Sequence, residues 1–228
     1  MSNYEPRTIA FGAEILHPPL QLRADMVQRI HNELFQRPEL AYQNFQIAQD
    51  GIHLTNLATS PGQISSVTFL PDRMVFREEL RGTTIEDFAT RVVNAAGVGF
   101  RMLGIPQTLG QQYWARSLVA PQHVRDSRTF VAERMLGGGA AALAPFGRPL
   151  HSAGIRLSFP SSQPTEPALN LRIEPWVQEP RSLWLEVVGQ FGLPLTVERL
   201  PEVGAALYTT YRFLSGPALD YVAGFDTP

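Results

Sequence analysis

The sequence predicts an α+β protein, with antiparallel sheet or sheets, helices on one face, and an internally duplicated strand–helix–strands–helix unit. Three observations carry this. Strand-like and helix-like runs follow one order from about Thr8 to Leu103, and that order returns from Gly110 to Leu219. Short apolar–polar alternations come in pairs joined by turn residues, which is hairpin patterning and leaves too few crossovers for a wound parallel sheet. Each half also ends in a long amphipathic helix. The repeats fall at 1–107 and 108–228, fused into one compact unit; 228 residues can bury one substantial core or two small fused ones.

Thr8 to His17 reads as the first strand, stopped by Pro18 and Pro19, which cannot donate to a ladder. Leu22 to Gln36 places Met26, Val27, Ile30, Leu34 and Phe35 at helical spacing, and Pro38 closes it. Tyr42 to Leu57 is a hairpin broken at Asp50-Gly51, a pair suited to positive φ. A second hairpin turns at Pro71-Asp72-Arg73 between Val67/Phe69 and Val75/Arg77. Thr84-Ile85-Glu86-Asp87 has the form of a helix cap, with an acid near the exposed first-turn amides. The helix that follows carries Phe88, Val92, Ala95, Ala96, Gly99 and Leu103. Its run of small residues, Ala95 to Gly99, predicts close packing, since glycine in a helix interior costs about 1 kcal/mol relative to alanine.

In the second half, Gln111 to Val119 is a strand with Tyr113, Ala115, Ser117 and Val119 on one side. Asp126 caps a helix through Phe130, Val131, Arg134 and Met135, stopped at Gly137-Gly138-Gly139. Ser152 to Phe159, Ala168 to Val177 and Leu183 to Val188 read as three antiparallel strands. Pro201 suits a first helical turn, and Val203, Leu207, Tyr211 and Leu214 give a last helix ending at Gly216-Pro217.

Composition excludes several chemistries. All 19 cationic side chains are Arg, so no Schiff-base or P-loop lysine exists, while many bidentate forks for carboxylates do. Cysteine is absent, which removes disulfides, thiolate nucleophiles and Cys-based metal sites. Net charge is −2, with 10 Arg against 11 acids in residues 1–120 and 9 against 10 in 121–228. Neither half is a basic module, so nucleic acid is not an expected partner. The start of the chain is polar and no apolar run reaches membrane-span length, so a cytoplasmic protein without a membrane partner is expected.

The candidate motifs are few. Gly137-Gly138-Gly139, followed by Ala140 to Pro145, lacks the Lys-Ser/Thr of a phosphate loop and reads as a connection. The five histidines, His17, His31, His53, His123 and His151, show no ligand spacing, so neither metal nor cofactor is expected. Neither Ser152 nor Ser215 has a nucleophile-elbow frame. Glu78 and Glu79 face opposite sides of a strand and cannot form one acid pair; a solvated edge is their expected setting. Arg172 and Glu174 share a strand face with Glu186 across from them, an Arg–carboxylate network. Trp184 is out of register with Leu183, Leu185 and Val187, and Trp176 continues the parity of Glu174, so both should leave the principal core. Aromatics beside Arg on a polar face suit an interface or ligand platform; packing under a covering helix is the other reading.

The repeated layout, with Gly110-Gln111-Gln112-Tyr113-Trp114-Ala115-Arg116-Ser117-Leu118-Val119 between the halves, resembles a family of uncharacterised bacterial proteins. In that family a mid-chain strand carries Gly-x-Arg-Tyr-x-Asn-Arg. Gly110, Tyr113 and Arg116 agree with the pattern; Gln112 replaces its first Arg and Ala115 its Asn. The resemblance covers most of the chain and implies the duplicated α+β layout and no catalytic residues.

The resulting expectation is a non-enzymatic protein-interaction or regulatory protein. It would be a homodimer through a sheet face or edge, with Tyr113, Arg116, Arg172, Glu174, Trp176 and Trp184 as ligand or interface candidates. The alternative is a small-molecule-binding protein or enzyme. It would use a cavity between the sheet and the helix at Ala95 to Gly99, with His17, Glu78 and Arg116 as its polar groups.

Overall fold

A computed structural model of the chain describes residues 4–137 and 144–228. Among them run β1 (Arg7–Leu16), β2 (Asn44–Ala48), β3 (Gly51–Thr55), β4 (Ile64–Phe69), β5 (Arg73–Glu79), β6 (Gly110–Val119), β7 (Ile155–Phe159), β8 (Ala168–Pro175) and β9 (Leu183–Phe191). These form one antiparallel nine-stranded sheet in the order β2-β3-β4-β5-β1-β6-β9-β8-β7. The opening strands of the two halves, β1 and β6, pair at its centre. The last strand of each half lies beside its opening strand, and the earlier ones follow outward.

Helices α1 (Ala24–Phe35), α2 (Ile85–Leu103) and α4 (Glu202–Phe213) cover one face of this sheet. Alternation along the strands supplies the floor: Phe11, Ala13 and Ile15 from β1, Tyr113 and Ala115 from β6, and Leu183, Leu185 and Val187 from β9. The helices supply Val27, Ile30 and Leu34, then Phe88, Val92, Ala95 and Ala96, then Val203 and Leu207. One buried cluster runs through both halves. Phe35, counted in the apolar stripe of α1 by its spacing, is instead 57% exposed.

Local signals act where the sequence places them. Thr84 accepts from the Asp87 amide at 3.1 Å, and Gly104 closes α2 at a φ of 68°. Gly99 is a close approach: a Cβ there would come within 3.0 Å of Met74 Cε, so α2 sits directly on β5. Asp126 accepts from the Arg128 and Thr129 amides and opens α3 (Ser127–Thr129), which widens into a π-helical stretch, Phe130–Met135. Gly137 follows at a φ of 69°. The rest of that glycine run, Gly138 and Gly139, with Ala140 to Leu143 after it, lies outside the described residues. Among the described residues no helix is long and apolar enough to cross a membrane.

Three expectations need correction. Ala48 pairs with Gly51, so the hairpin loop is Gln49-Asp50, and Gly51 alone takes the positive φ, 138°. The last helix does not stop at Gly216-Pro217. A π turn, Leu214–Ala218, carries the chain from α4 into α5 (Leu219–Ala223); the wider turn accommodates a proline that lacks the N–H an α-helix would use. Glu78 and Glu79 do face opposite sides, yet their strand is no solvated edge, because β5 lies between β4 and β1. Glu78 is 2% exposed under α2, where Ser65 Oγ donates to its Oε1 at 2.7 Å and Arg91 of α2 donates to the same oxygen.

That pair yields a stability prediction. Arg91→Leu leaves the buried Glu78 carboxylate with Ser65 and with an Arg81 nitrogen 3.8 Å away, and should cost about 3 kcal/mol in urea unfolding, while replacing Glu78 and Arg91 together by leucine should recover more than half of the loss.

Candidate functional site

The side of the sheet away from the helices is open, and strand parity decides what it shows. On this side β6 sets Gln112, Trp114 and Arg116, β9 sets Trp184, Glu186 and Val188, and β8 sets Asn170, Arg172 and Glu174; of these Glu186 is buried among its neighbours. β5 adds Arg77 and Glu79.

Glu186 lies opposite Arg116 on one neighbouring strand and Arg172 on the other. Arg116 Nε donates to Glu186 Oε2 at 2.7 Å, and an Arg172 nitrogen stands 3.6 Å from Oε1. Arg172 also donates to Glu174 Oε1 at 2.7 Å. Hydrogen bonding to Glu174, with Glu186 beside it, holds the Arg172 guanidinium above its ordinary range. On the other flank Arg116 stands 3.7 Å from Glu79, which accepts from Arg77 at 2.6 Å. Ala10 of β1 is opposite both Glu79 and Arg116, and its small side chain lets them meet across the strand. The result is an alternating row, Arg77–Glu79–Arg116–Glu186–Arg172–Glu174.

Trp184 stands beside this row, with the guanidinium carbons of Arg116 and Arg172 at 5.9 and 5.2 Å from its ring centroid. Trp176 follows β8, its amide bonded to Ser182 O at 2.8 Å. With Trp184, Arg116, Glu174 and the 82%-exposed Val177 it lines a hollow of about 380 Å³. The structure thus brings together five of the six interface candidates: Arg116, Arg172, Glu174, Trp176 and Trp184.

Tyr113, the sixth, must be withdrawn from the surface. It shares parity with Ala115, Ser117 and Val119, and those point under the helices. Tyr113 is fully buried edge-on to Phe191, and burial pushes its hydroxyl pKa up. The pocket set of His17, Glu78 and Arg116 does not meet either. Arg116 is on the open face and Glu78 is under α2. His17, past the end of β1, packs its ring on Phe100 and donates from Nδ1 to Pro18 O at 2.9 Å.

Two features of the open face escape strand-by-strand reading. Trp114 lies across Gly12, where a Cβ would fall 1.8 Å from the indole, so the glycine is its seat; a glycine inside a strand is the available signal. Near the β2 edge, His53 bonds Thr68 Oγ1 at 3.0 Å through Nδ1 and Asp50 Oδ1 at 3.1 Å through Nε2. This hydroxyl–imidazole–carboxylate chain can relay a proton, and the hydrogen bond to His53 lowers the Asp50 pKa. It arises from the His53↔Thr68 register, which no sequence spacing reveals. Among the described residues no three His, Asp or Glu side chains gather where they could hold a metal ion. Neither a protein-family model nor a curated protein matches the chain.

Two outcomes follow. Burial holds His17 below its usual 6.5, so the unfolded chain takes up this proton more readily than the folded one. Stability should therefore fall as the pH drops from about 7 to about 5, and His17→Phe should flatten that part of the urea-midpoint profile. Glu186→Ala should cost about 1–3 kcal/mol and shift tryptophan emission, because Arg116 loses its short hydrogen bond beside Trp184, while Arg172 stays held by Glu174.

Proposed function

We propose that the protein is a non-enzymatic interaction or regulatory protein, a cytoplasmic homodimer whose open sheet face receives a partner protein. One observation carries the reading: Trp184 stands between Arg116 and Arg172 on an uncovered sheet face, next to Trp176 and an exposed hollow. An antiparallel sheet can leave one face to water and normally makes it polar. Here that face holds Trp114, Trp184 and Val188 among its charges, with Trp176 at the end of β8. Trp and Arg dominate binding hot spots because they join large contact area with directed hydrogen bonds. The carboxylates pin both arginines before a partner arrives, which reduces the ordering cost of association. Alternating signs disfavour a polyanion and suit a protein surface that offers an apolar side chain to the hollow and mixed charges to the row.

The repeated strand order supports an origin by duplication, in keeping with the resemblance read at Gly110 to Arg116. The cytoplasmic placement rests on composition. The alternative, a small-molecule site between sheet and α2, draws no support from Gly99, whose approach is filled by Met74 and Phe69.

Tagged protein used as bait in an extract of its own cells should retain a partner that the Trp176→Ala/Trp184→Ala variant loses, with circular dichroism unchanged. Truncating a hot-spot tryptophan costs about 2 kcal/mol or more, roughly thirtyfold in Kd. An identical captured set from both baits overturns the reading. A small molecule retained at one per subunit in native mass spectrometry transfers it to the alternative.

A further inference from the structure

The two outer strands of the sheet are built differently. β7 carries Arg156, is followed by Pro160, and holds Phe159 edge-on to Phe213 of α4 at 5.3 Å. Charges and prolines of this kind blunt an edge against pairing. β2, Asn44-Phe45-Gln46-Ile47-Ala48, has no charge and no proline, and its register with β3 is unbroken. Ile47 is 63% exposed on this edge, and on the helix side Phe35 and Phe45 each lie 6.0 Å from the His31 ring.

The direction of the free backbone groups follows from one bond. The Asn56 amide donates to Ser65 O at 2.9 Å, so Asn56, Leu54 and Ile52 turn their amides and carbonyls toward β4. By alternation Gly51, His53 and Thr55 turn theirs toward β2, where they meet Ala48, Gln46 and Asn44. Phe45 and Ile47 therefore direct an N–H and a C=O each out of the sheet. Gln43, next in that series, has its amide bonded to Asn56 Oδ1 at 3.2 Å.

We infer that two copies of the chain join by antiparallel pairing of β2 with the same strand of a second copy, about a twofold axis through Gln46. That axis sets Phe45 against the partner's Ile47 and Ile47 against the partner's Phe45, and all four outward groups of each edge pair in four backbone hydrogen bonds. An axis through Phe45 would need the Gln43 amide, which is taken. An axis through Ile47 would run Phe45 against the hairpin loop. The same register stacks Phe45 and Ile47 as cross-strand apolar pairs on the helix side and leaves Gln46 beside its own copy on the open side. The inference rests on the homodimer part of the proposed function and is independent of the tryptophan face.

The absence of cysteine makes the register testable. Gln46→Cys places one thiol per chain on the axis, in a non-hydrogen-bonded pair whose Cα atoms lie about 4.5 Å apart, within disulfide range. Oxidised glutathione should convert that variant to a covalent dimer, while Ser158→Cys on β7 stays uncoupled. In light scattering at about 20 µM the wild type should show twice the 25.3 kDa chain mass. Ile47→Pro, which removes only an outward N–H, should show the single mass with unchanged circular dichroism. Ile47→Lys should do the same where the proline variant fails to fold. A dimer that survives both substitutions, or a Gln46→Cys variant that does not couple, overturns the edge pairing and leaves the homodimer reading standing. A monomeric wild type overturns both, and leaves the partner-capture experiment on Trp176 and Trp184 to judge the open face by itself.

Discussion

β1 and β6 are the longest strands, ten residues each, and their antiparallel pairing fixes what every other element can do. The pair joins the two halves and sets the parity on which the inner side becomes core and the outer side becomes surface. A slip of β1 by one residue would send Phe11, Ala13 and Ile15 outward and bring Gly12 and Glu14 under the helices. Gly12 and Trp114 oppose such a slip. They stand directly opposite each other, and the indole occupies the space in which any other residue at position 12 would carry its Cβ. Ala10 has a comparable role two residues away, where its small side chain lets Glu79 and Arg116 approach across β1.

The two ion-pair systems follow different physics although both are built from Arg and Glu. Glu78 and Arg91 meet between sheet and helix, where the surroundings solvate charge poorly and Ser65 and Arg81 complete the carboxylate's partners. On the open face solvent reaches every member of the row but Glu186, so the outer pairs contribute little. The value of that row lies in geometry: each carboxylate touches two arginines or fixes one against an indole, and a planar guanidinium accepts such a place where a lysine ammonium would remain mobile. A chain whose cations are all Arg can therefore build an ordered polar surface on a sheet around one buried carboxylate, Glu186.

The sequence shows relations between near neighbours and hides those that depend on strand order. Parity alone separates Trp184 from Leu183 and Leu185, groups Arg172 with Glu174, and divides Glu78 from Glu79. The caps at Thr84 and Asp126 are equally plain, because a helix terminus is satisfied within a few residues. Tyr113 exposes the limit: alternation states which residues share its side but not which side the helices cover. Glu78 shows the same limit at the level of the sheet. Whether a strand is internal depends on pairings between distant segments, here β5 with β1, and no local pattern encodes them. The His53–Thr68 contact is of this kind too, since it comes from the β3–β4 register.

The β2 edge and the tryptophan hollow are linked through the geometry of a continuous sheet. β9, which carries Trp184, lies six strands from β2. Pairing two β2 edges therefore separates the two copies of Trp184 by thirteen strand spacings, about 60 Å along the sheet before twist shortens the path. Under the proposed pairing, two identical sites at that separation would favour a partner that is itself dimeric or repetitive, because the second contact would form at high effective concentration once the first is made. The edge strand would then serve the open face by setting the distance between two copies of the proposed site, so that affinity would depend on the spacing of the partner's epitopes as well as on the chemistry of a single hollow.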